Sequence, residues 1–468
     1  MIKMKLKIVF ISIIIICLYS CSDDDYTATS KIEYEEGEEF LTGDLGVNST
    51  SNNAFGFEIS GLSFVEQAEF STGNSLFNQT WVSSPASTTG RDGLGPTFNA
   101  RACATCHFKD GRGKAFVNGE DSSGFLMRIS MPGQDSNGDA LPVLGYGTQL
   151  QDRANNGIPF EAKVNVTYEV INGEYADGTS YQLQKPIYSF SQEAFGSLSG
   201  VLMSPRVAQQ TIGLGLISAL PDEEITKFED EADSDNDSIS GRANYVYNYE
   251  MNEQDLGKYG WKANAPTLKQ QVAAALHGDM GLTTSLFSDS NCPSPQQDCA
   301  DAINGGTPEV TNVQLDKMLF YQAHLAVPNR RNYKDENVLR GKALFSSLNC
   351  IGCHAINQKT GTEAASDYLK NITIKPYSDF LLHDMGDDLA DNRPDYLATG
   401  NEWRTQPLWG IGLISTVNGH TNLMHDGRAA NIEEAILWHG GEAENIREDF
   451  KNLSVDDREN LISFVNSL

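Results

Sequence analysis

Cys103-Ala104-Thr105-Cys106-His107 and Cys350-Ile351-Gly352-Cys353-His354 are two copies of one pattern, CxxCH, in a single chain. Two thiols at this spacing add across the two vinyl groups of a porphyrin, and the imidazole next door then reaches the iron. One copy alone would also suit half of a zinc site. Four thiols sharing one zinc, however, would be split by more than two hundred residues, far beyond zinc-ribbon spacing. A redox CxxC has no need of the following histidine. The pattern therefore predicts two covalently bound c-type haems, with His107 and His354 as proximal ligands.

Outward from the motifs, the same lead-in recurs. Gly73-Asn74-Ser75-Leu76-Phe77 stands before the first and Gly341-Lys342-Ala343-Leu344-Phe345 before the second. A G-x-x-L-F helix running into CxxCH begins small cytochrome c units, so two such units are implied. The chain closes with Ser454-Val455-Asp456-Asp457, a helix-start signal, and then Leu461, Ile462, Phe464, Val465 and Leu468 on one apolar stripe. Between the motifs, alternating runs such as Ala162 to Val170, with Asn172-Gly173 and Asp177-Gly178 as turns, predict β-hairpins. Val327 to Asp335 reads as the divide between the halves. The expected fold is mainly α: two cytochrome c-like helical domains, at 56–330 and 331–468, the first enlarged by a β-hairpin insertion at about 125–190.

Residues 1–20 read as a lipoprotein signal peptide. Lys3, Lys5 and Lys7 precede an apolar run, Ile8 to Cys17, too short to span a bilayer. Leu18-Tyr19-Ser20-Cys21 resembles a bacterial lipobox, which would place a lipid on Cys21; a simple secretory signal is the alternative. Ser22-Asp23-Asp24-Asp25 resembles the acidic tag of surface lipoproteins, and residues 21–55 read as an acidic flexible tether. The expected location is thus an exported lipoprotein on the outer membrane or cell surface, facing periplasm or medium, touching the membrane only through its anchor. Apolar residues make up 40% of the 468, enough for real cores, and a formal charge of −29 argues against nucleic acid. That acidity serves solubility first and a basic redox partner second. Cys292 and Cys299 flank an irregular segment and, in an oxidising compartment, read as a small disulfide.

The axial position opposite each proximal histidine decides whether a haem only passes electrons or also takes up an oxidant. No histidine lies between His107 and His277. Second ligands must therefore come from His277, His324, His383, His420, His425, His439, a methionine or a tyrosine. Asp233, Asp235 and Asp237 alternate ahead of Ile239 and Gly241, which puts hard oxygens on one side of a tight loop and suits calcium. No bidentate glutamate follows at the expected place, and a solvated acidic turn is the alternative.

Five longer stretches carry a family resemblance. They are Asp92-Gly93-Leu94-Gly95-Pro96-Thr97-Phe98-Asn99-Ala100-Arg101, Tyr259-Gly260-Trp261-Lys262-Ala263, Leu382-His383-Asp384-Met385-Gly386, Glu402 to Gly410, and His425-Asp426-Gly427-Arg428-Ala429. From about residue 60 to the C-terminus the chain resembles the di-haem oxidoreductase, putative peroxidase family. More distantly it is similar to bacterial di-haem cytochrome c peroxidases. The resemblance implies Trp261 as the relay between the haems, Gln271 ten residues on, and Asp279 as the acid–base group beside the iron that meets hydrogen peroxide. The peroxidases have a glutamate at this place, so the carboxylate here is one methylene shorter, and it follows the glutamine two residues sooner. His277 is the alternative occupant of that distal position.

The resemblance also implies a second ligand fourteen residues after His425, where this chain has His439 in place of a methionine. Bis-histidine ligation by His354 and His439 follows, with a lowered potential; Met385 and Met424 are the alternatives. The implied function is a peroxidase-like di-haem oxidoreductase that reacts at the N-terminal haem. Electrons would pass through the C-terminal haem, from a redox partner protein or small donor to hydrogen peroxide or another oxidant. An electron-transfer cytochrome without turnover, or an oxidative modifier of a partner protein, are the alternatives.

Overall fold

The computed structural model describes residues 33–120 and 124–468; the signal peptide and Cys21 lie outside them. Two helix pairs frame the molecule. The helix Phe64–Asn78 leads toward the first CxxCH turn and packs along the helix Asn312–Ala323. The helix Glu336–Ser347 leads to the second and packs along Val455–Ser467. Both lead-in helices carry their G-x-x-L-F glycine at the contact. A Cβ on Gly73 would lie 2.1 Å from the Lys317 carbonyl oxygen, and one on Gly341 would lie 2.0 Å from that of Asn460. Four residues on, the motif phenylalanines meet the motif histidines: the rings of Phe77 and His107 are 6.1 Å apart and those of Phe345 and His354 are 6.0 Å apart. The repeat is therefore one packing device used twice. Ser454 caps the last helix by accepting from the Asp457 amide, as the start signal predicts.

The rest does not fit a mainly helical fold, and that expectation is corrected. Among the described residues only six of twelve α-helices reach nine residues, and twelve strands pair two by two into six separate sheets. Much of the chain between them is irregular backbone tied down by buried side chains. Lys262, fully buried, donates to Asp391 Oδ1 at 2.7 Å and to the carbonyls of Arg393 and Thr399 at 2.8 and 2.7 Å. Such loops satisfy their backbone through side chains rather than through helical ladders, so helical periodicity accounts only for the segments that pair.

In the insertion, Phe125–Ser130 pairs with Leu202–Val207, and Lys163–Glu174 forms a long hairpin with Ser180–Ser191. The turn is at Asp177-Gly178, where Gly178 has φ +84° and the Asp177 carboxylate accepts from the Thr179 amide. Asn172-Gly173, read as a second turn, is instead strand interior. Gly173 faces Tyr181, whose ring a Cβ would strike at 2.1 Å; the glycine makes room for a cross-strand aromatic rather than for a bend.

From Tyr34 to Leu468 the chain is one compact unit. The hairpin tip lies on the C-terminal helices: Arg458 pairs with Asp177 at 2.7 Å and stacks over Tyr175, whose hydroxyl donates to Glu433 at 2.6 Å. The tether, read to residue 55, ends sooner, because Leu41 and Phe55 are fully buried and Lys375 N–H donates to the Leu41 carbonyl. Of the segment read as the divide between halves, Val327 to Asp335, the first four residues are buried and the rest are not. No helix among the described residues is long and apolar enough to cross a membrane.

Glu161 holds the insertion to the body. Its buried carboxylate takes the Gln151 amide and the Gln296 side chain, both at 2.6 Å, and burial pushes it up to about 8. A carboxyl raised on folding binds a proton more tightly when folded. Its stabilising contribution is complete at low pH and is lost as pH rises from about 4 to about 8. The melting temperature of Glu161→Gln should therefore change less over that range than the wild type's; equal slopes would reject the assignment. Gly341→Ala should cost about 1–3 kcal/mol through overpacking against backbone, read by urea unfolding; an unchanged midpoint would contradict the contact.

Candidate functional site

Each CxxCH turn opens onto its own cavity. The first, of about 180 Å³, is lined by Cys103, Cys106 and His107; the second, of about 230 Å³, by Cys350, Cys353 and His354. The turns are wound alike, with the histidine amide donating to the first cysteine's carbonyl at 2.9 Å in both. Two sulfurs and one imidazole thereby share a wall. All four cysteines are free of disulfides, and burial pushes the Cys103 and Cys350 thiols up to about 12.

Behind each imidazole stands a backbone carbonyl. His107 Nδ1 meets Gln209 O at 2.6 Å and His354 Nδ1 meets Tyr377 O at 2.9 Å. Donation from Nδ1–H to such a carbonyl fixes the tautomer and leaves Nε2 with a lone pair, the arrangement of a metal-ligating histidine. Across the second cavity, His439 is held in the same way, Nδ1 on Ala435 O at 2.7 Å. The rings of His354 and His439 are 6.5 Å apart. That separation leaves room for a metal ion between two imidazoles whose Nδ1 atoms are both turned to carbonyls, so the residues fit a bis-histidine iron site. Met385 and Met424 also line this cavity. His383 does as well, but both its nitrogens are taken, by Asp379 Oδ2 at 2.8 Å and Glu442 Oε2 at 2.7 Å. His425 stacks on Trp403 at 3.9 Å and 6°, and its buried Nε2 has no hydrogen-bond partner among the described residues.

The first cavity differs on its far side. Among the described residues His107 is its one histidine, and Trp261, Gln271 and Asp279 all stand on its wall. Gln271, Ala275 and Asp279 recur at helical spacing along one face of Leu268–Met280. That helix starts on Thr267, which caps the Gln270 amide, and ends at Gly281 with φ +65°. The Asp92–Arg101 stretch closes its end: Gly95 donates to Met280 O, and Asn99 and Ala100 both donate to Asp279 O. A Cβ on Gly95 would lie 2.5 Å from Gly281 Cα, so the glycines of this stretch permit the approach.

Asp279 Oδ1 accepts from Gln149 Nε2 at 2.7 Å, and Gln149 also donates to Asn99 Oδ1 at 2.8 Å. Burial raises the Asp279 carboxyl above its ordinary range, against the pull of Gln149, Arg128 and His107. His277 is elsewhere, with Nε2 on Asp289 O and its ring against Phe287. Neither Gln149 nor Arg128 is marked by any motif; Arg128 lines the cavity from a strand paired with Leu202–Val207, and Gln149, bridged to Arg128, reaches Asp279 from behind.

Trp261 lines both cavities, together with Gln209, Gln210, Leu214 and Arg404. Its indole N–H donates to Val207 O at 2.8 Å, and the Arg112 guanidinium lies 4.9 Å over its ring. Away from the cavities, Asp233, Asp235 and Asp237 each bring one carboxylate oxygen within 4.8 Å of the others. Asn349 Nδ2 donates to Asp237 at 2.8 Å, tying this loop to the residue before Cys350. Cys292 and Cys299 are joined by a disulfide.

No curated protein matches the chain. The family model described as di-haem oxidoreductase, putative peroxidase, matches residues 41–468, a span that contains both CxxCH cavities and the tryptophan they share. The chain belongs to that di-haem oxidoreductase family.

Proposed function

We propose that the protein is a peroxidase-like enzyme with two c-type haems, reacting at the first cavity and receiving electrons through the second. Cys103, Cys106 and His107 would hold one haem; Cys350, Cys353, His354 and His439 would hold the other. The observation that carries the reading is the asymmetry of the far walls. His439 lies near His354 in the second cavity, whereas the first cavity is lined beside His107 by the Asp279 carboxyl and the Gln271 amide, with no second histidine among the described residues. Bound haem would supply one-electron chemistry at both cavities and the redox chemistry of peroxide reduction at the first.

Asp279 is the group that holds and moves the proton. Reduction of peroxide to two waters consumes two electrons and two protons, and requires a proton to pass from the inner to the outer oxygen. Burial favours the neutral Asp279 carboxyl, so it holds that proton more readily than an exposed one would. Gln149 occupies Oδ1, so Oδ2 is the oxygen that exchanges it. Trp261, on the wall common to both cavities, is the residue through which charge crosses. The electron donor is a redox protein or small molecule meeting an acidic surface. A lipid on Cys21 would keep the enzyme at the exporting cell's envelope. Calcium between Asp233, Asp235 and Asp237 would brace the loop that Asn349 joins to the second motif.

Electron paramagnetic resonance of the ferric and half-reduced protein tests the reading. One high-spin haem signal that disappears on adding peroxide is the expected result. Two low-spin signals indifferent to peroxide in both states would make it an electron-transfer cytochrome. His439→Ala should turn the second haem high-spin, and an unchanged spectrum would reject its ligand role. Asp279→Asn should keep both haems and lose about 10²–10⁴-fold in peroxide turnover; near-wild-type turnover would remove Asp279 from the mechanism.

A further inference from the structure

Trp261, on the wall common to both cavities, meets a cation over its ring and a carbonyl at its nitrogen. The Arg112 guanidinium lies 4.9 Å over the indole, and the indole N–H donates to Val207 O at 2.8 Å. Both residues are buried. Glycines place the arginine. A Cβ on Gly111 would lie 2.1 Å from Asn418 Oδ1, and one on Gly113 would lie 2.4 Å from Gly124 O. From this tight turn Arg112 donates through Nε to Asn422 O and through Nη2 to Met424 O, acceptors without charge. The aspartate of its own turn, Asp110, takes the Tyr321 hydroxyl at 2.6 Å instead. The matching turn Asp426-Gly427-Arg428 also sets its guanidinium over a tryptophan, 4.8 Å from the Trp438 ring. There the cation is paired with its own aspartate at 2.9 Å. Asp426 is also the carboxylate whose charge reaches Arg112, so that counter-charge is shared.

A cation is drawn to the face of a neutral indole. Taking an electron from the ring reverses that interaction, because two positive charges then face each other in a low-dielectric interior. An oxidised indole can also shed its N–H proton, but that needs a base at the nitrogen. A backbone carbonyl accepts the hydrogen bond without taking up the proton. The surroundings of Trp261 thus disfavour both oxidised forms. We propose that Arg112 is a positioning residue acting through Trp261, its charge keeping the indole closed-shell so that charge crosses between the cavities without halting on the ring. The proposal rests on the reading of Trp261 as the relay and extends it. No oxidising equivalent is left on the indole for a partner protein to draw on. The oxidising power of peroxide therefore stays within the two sites, which favours a peroxidase over an oxidative modifier of a partner.

The test uses the holoprotein, two neutral variants, Arg112→Gln and Arg112→Met, and the charge-keeping Arg112→Lys, all checked for two haems. Each is mixed with hydrogen peroxide, frozen, and read by electron paramagnetic resonance with ring-deuterated tryptophan to identify an indole radical. In a neutral variant Trp261 supplies one of the two electrons that reduce peroxide to two waters, and keeps its N–H proton. The second electron comes through the haems and the two protons come from solvent. The neutral variants should hold about tenfold or more indole radical than wild type, the effect of one charge at this distance. Adding Trp261→Phe should abolish the signal, and Arg112→Lys should match wild type. The proposal is overturned if wild type carries as much indole radical as the neutral variants, or if the lysine variant carries as much as they do. It is equally overturned if the haem signals respond to peroxide and no variant gains the radical. Haem signals indifferent to peroxide in every protein would instead remove the peroxidase reading. Arg112 is then decided by the same comparison with a photogenerated ruthenium(III) polypyridyl as one-electron oxidant: more indole radical in the neutral variants upholds the proposal, and equal amounts overturn it.

Discussion

One hydrogen bond per motif, from imidazole Nδ1 to a backbone carbonyl, sets the rest of this molecule in order. A histidine that follows two cysteines in a tight turn has a ring free to swing. Gln209 O and Tyr377 O stop it. Neither carbonyl belongs to the motif or its lead-in helix, so each turn is only as well defined as the distant segment brought against it. Gln209 follows the strand that pairs with Phe125–Ser130, and its side chain reaches the wall shared by both cavities. The β insertion is thereby part of the first site rather than an ornament on it.

The same economy appears in the two helix pairs. Glycine at the crossing lets each lead-in helix press its backbone against its partner, and phenylalanine one turn later rests against the motif histidine. Beyond that common frame the halves diverge. The second cavity is lined by a further imidazole, and the first by a carboxyl and an amide. A shared motif wall with different remaining walls gives one polypeptide two cavities of different chemistry.

What was legible in the sequence follows from distance along the chain. Motifs that act through neighbours in sequence, the CxxCH turns, the G-x-x-L-F lead-ins and the capped last helix, are read directly. The set Trp261, Gln271 and Asp279 is legible only through the family resemblance, which gives their spacing along the chain. Arg128 and Gln149 were not, since only strand pairing brings the one to the cavity and the other to Asp279. The helical content was overestimated for a related reason: segments such as the one around Lys262 are ordered by buried polar contacts to remote carbonyls, which leave no periodicity behind. Asn172-Gly173 misled because a glycine needed for a neighbouring ring has the same spelling as one needed for a turn.

The hairpin tip that lies on the last helices has a bearing on how the chain comes to be folded. Asp177 finds Arg458, Tyr175 finds Glu433, and the Ala176 amide finds the Lys451 carbonyl. At the other end, Leu41 meets Lys375, and Glu39 accepts from Arg330. These are contacts of high sequence separation, the kind that slows folding because long loops must close before they are rewarded. The first half cannot complete its own surface until the helix Val455–Ser467 exists. These contacts tie the insertion of the first site to the helices of the second, so the two halves are coupled rather than independent.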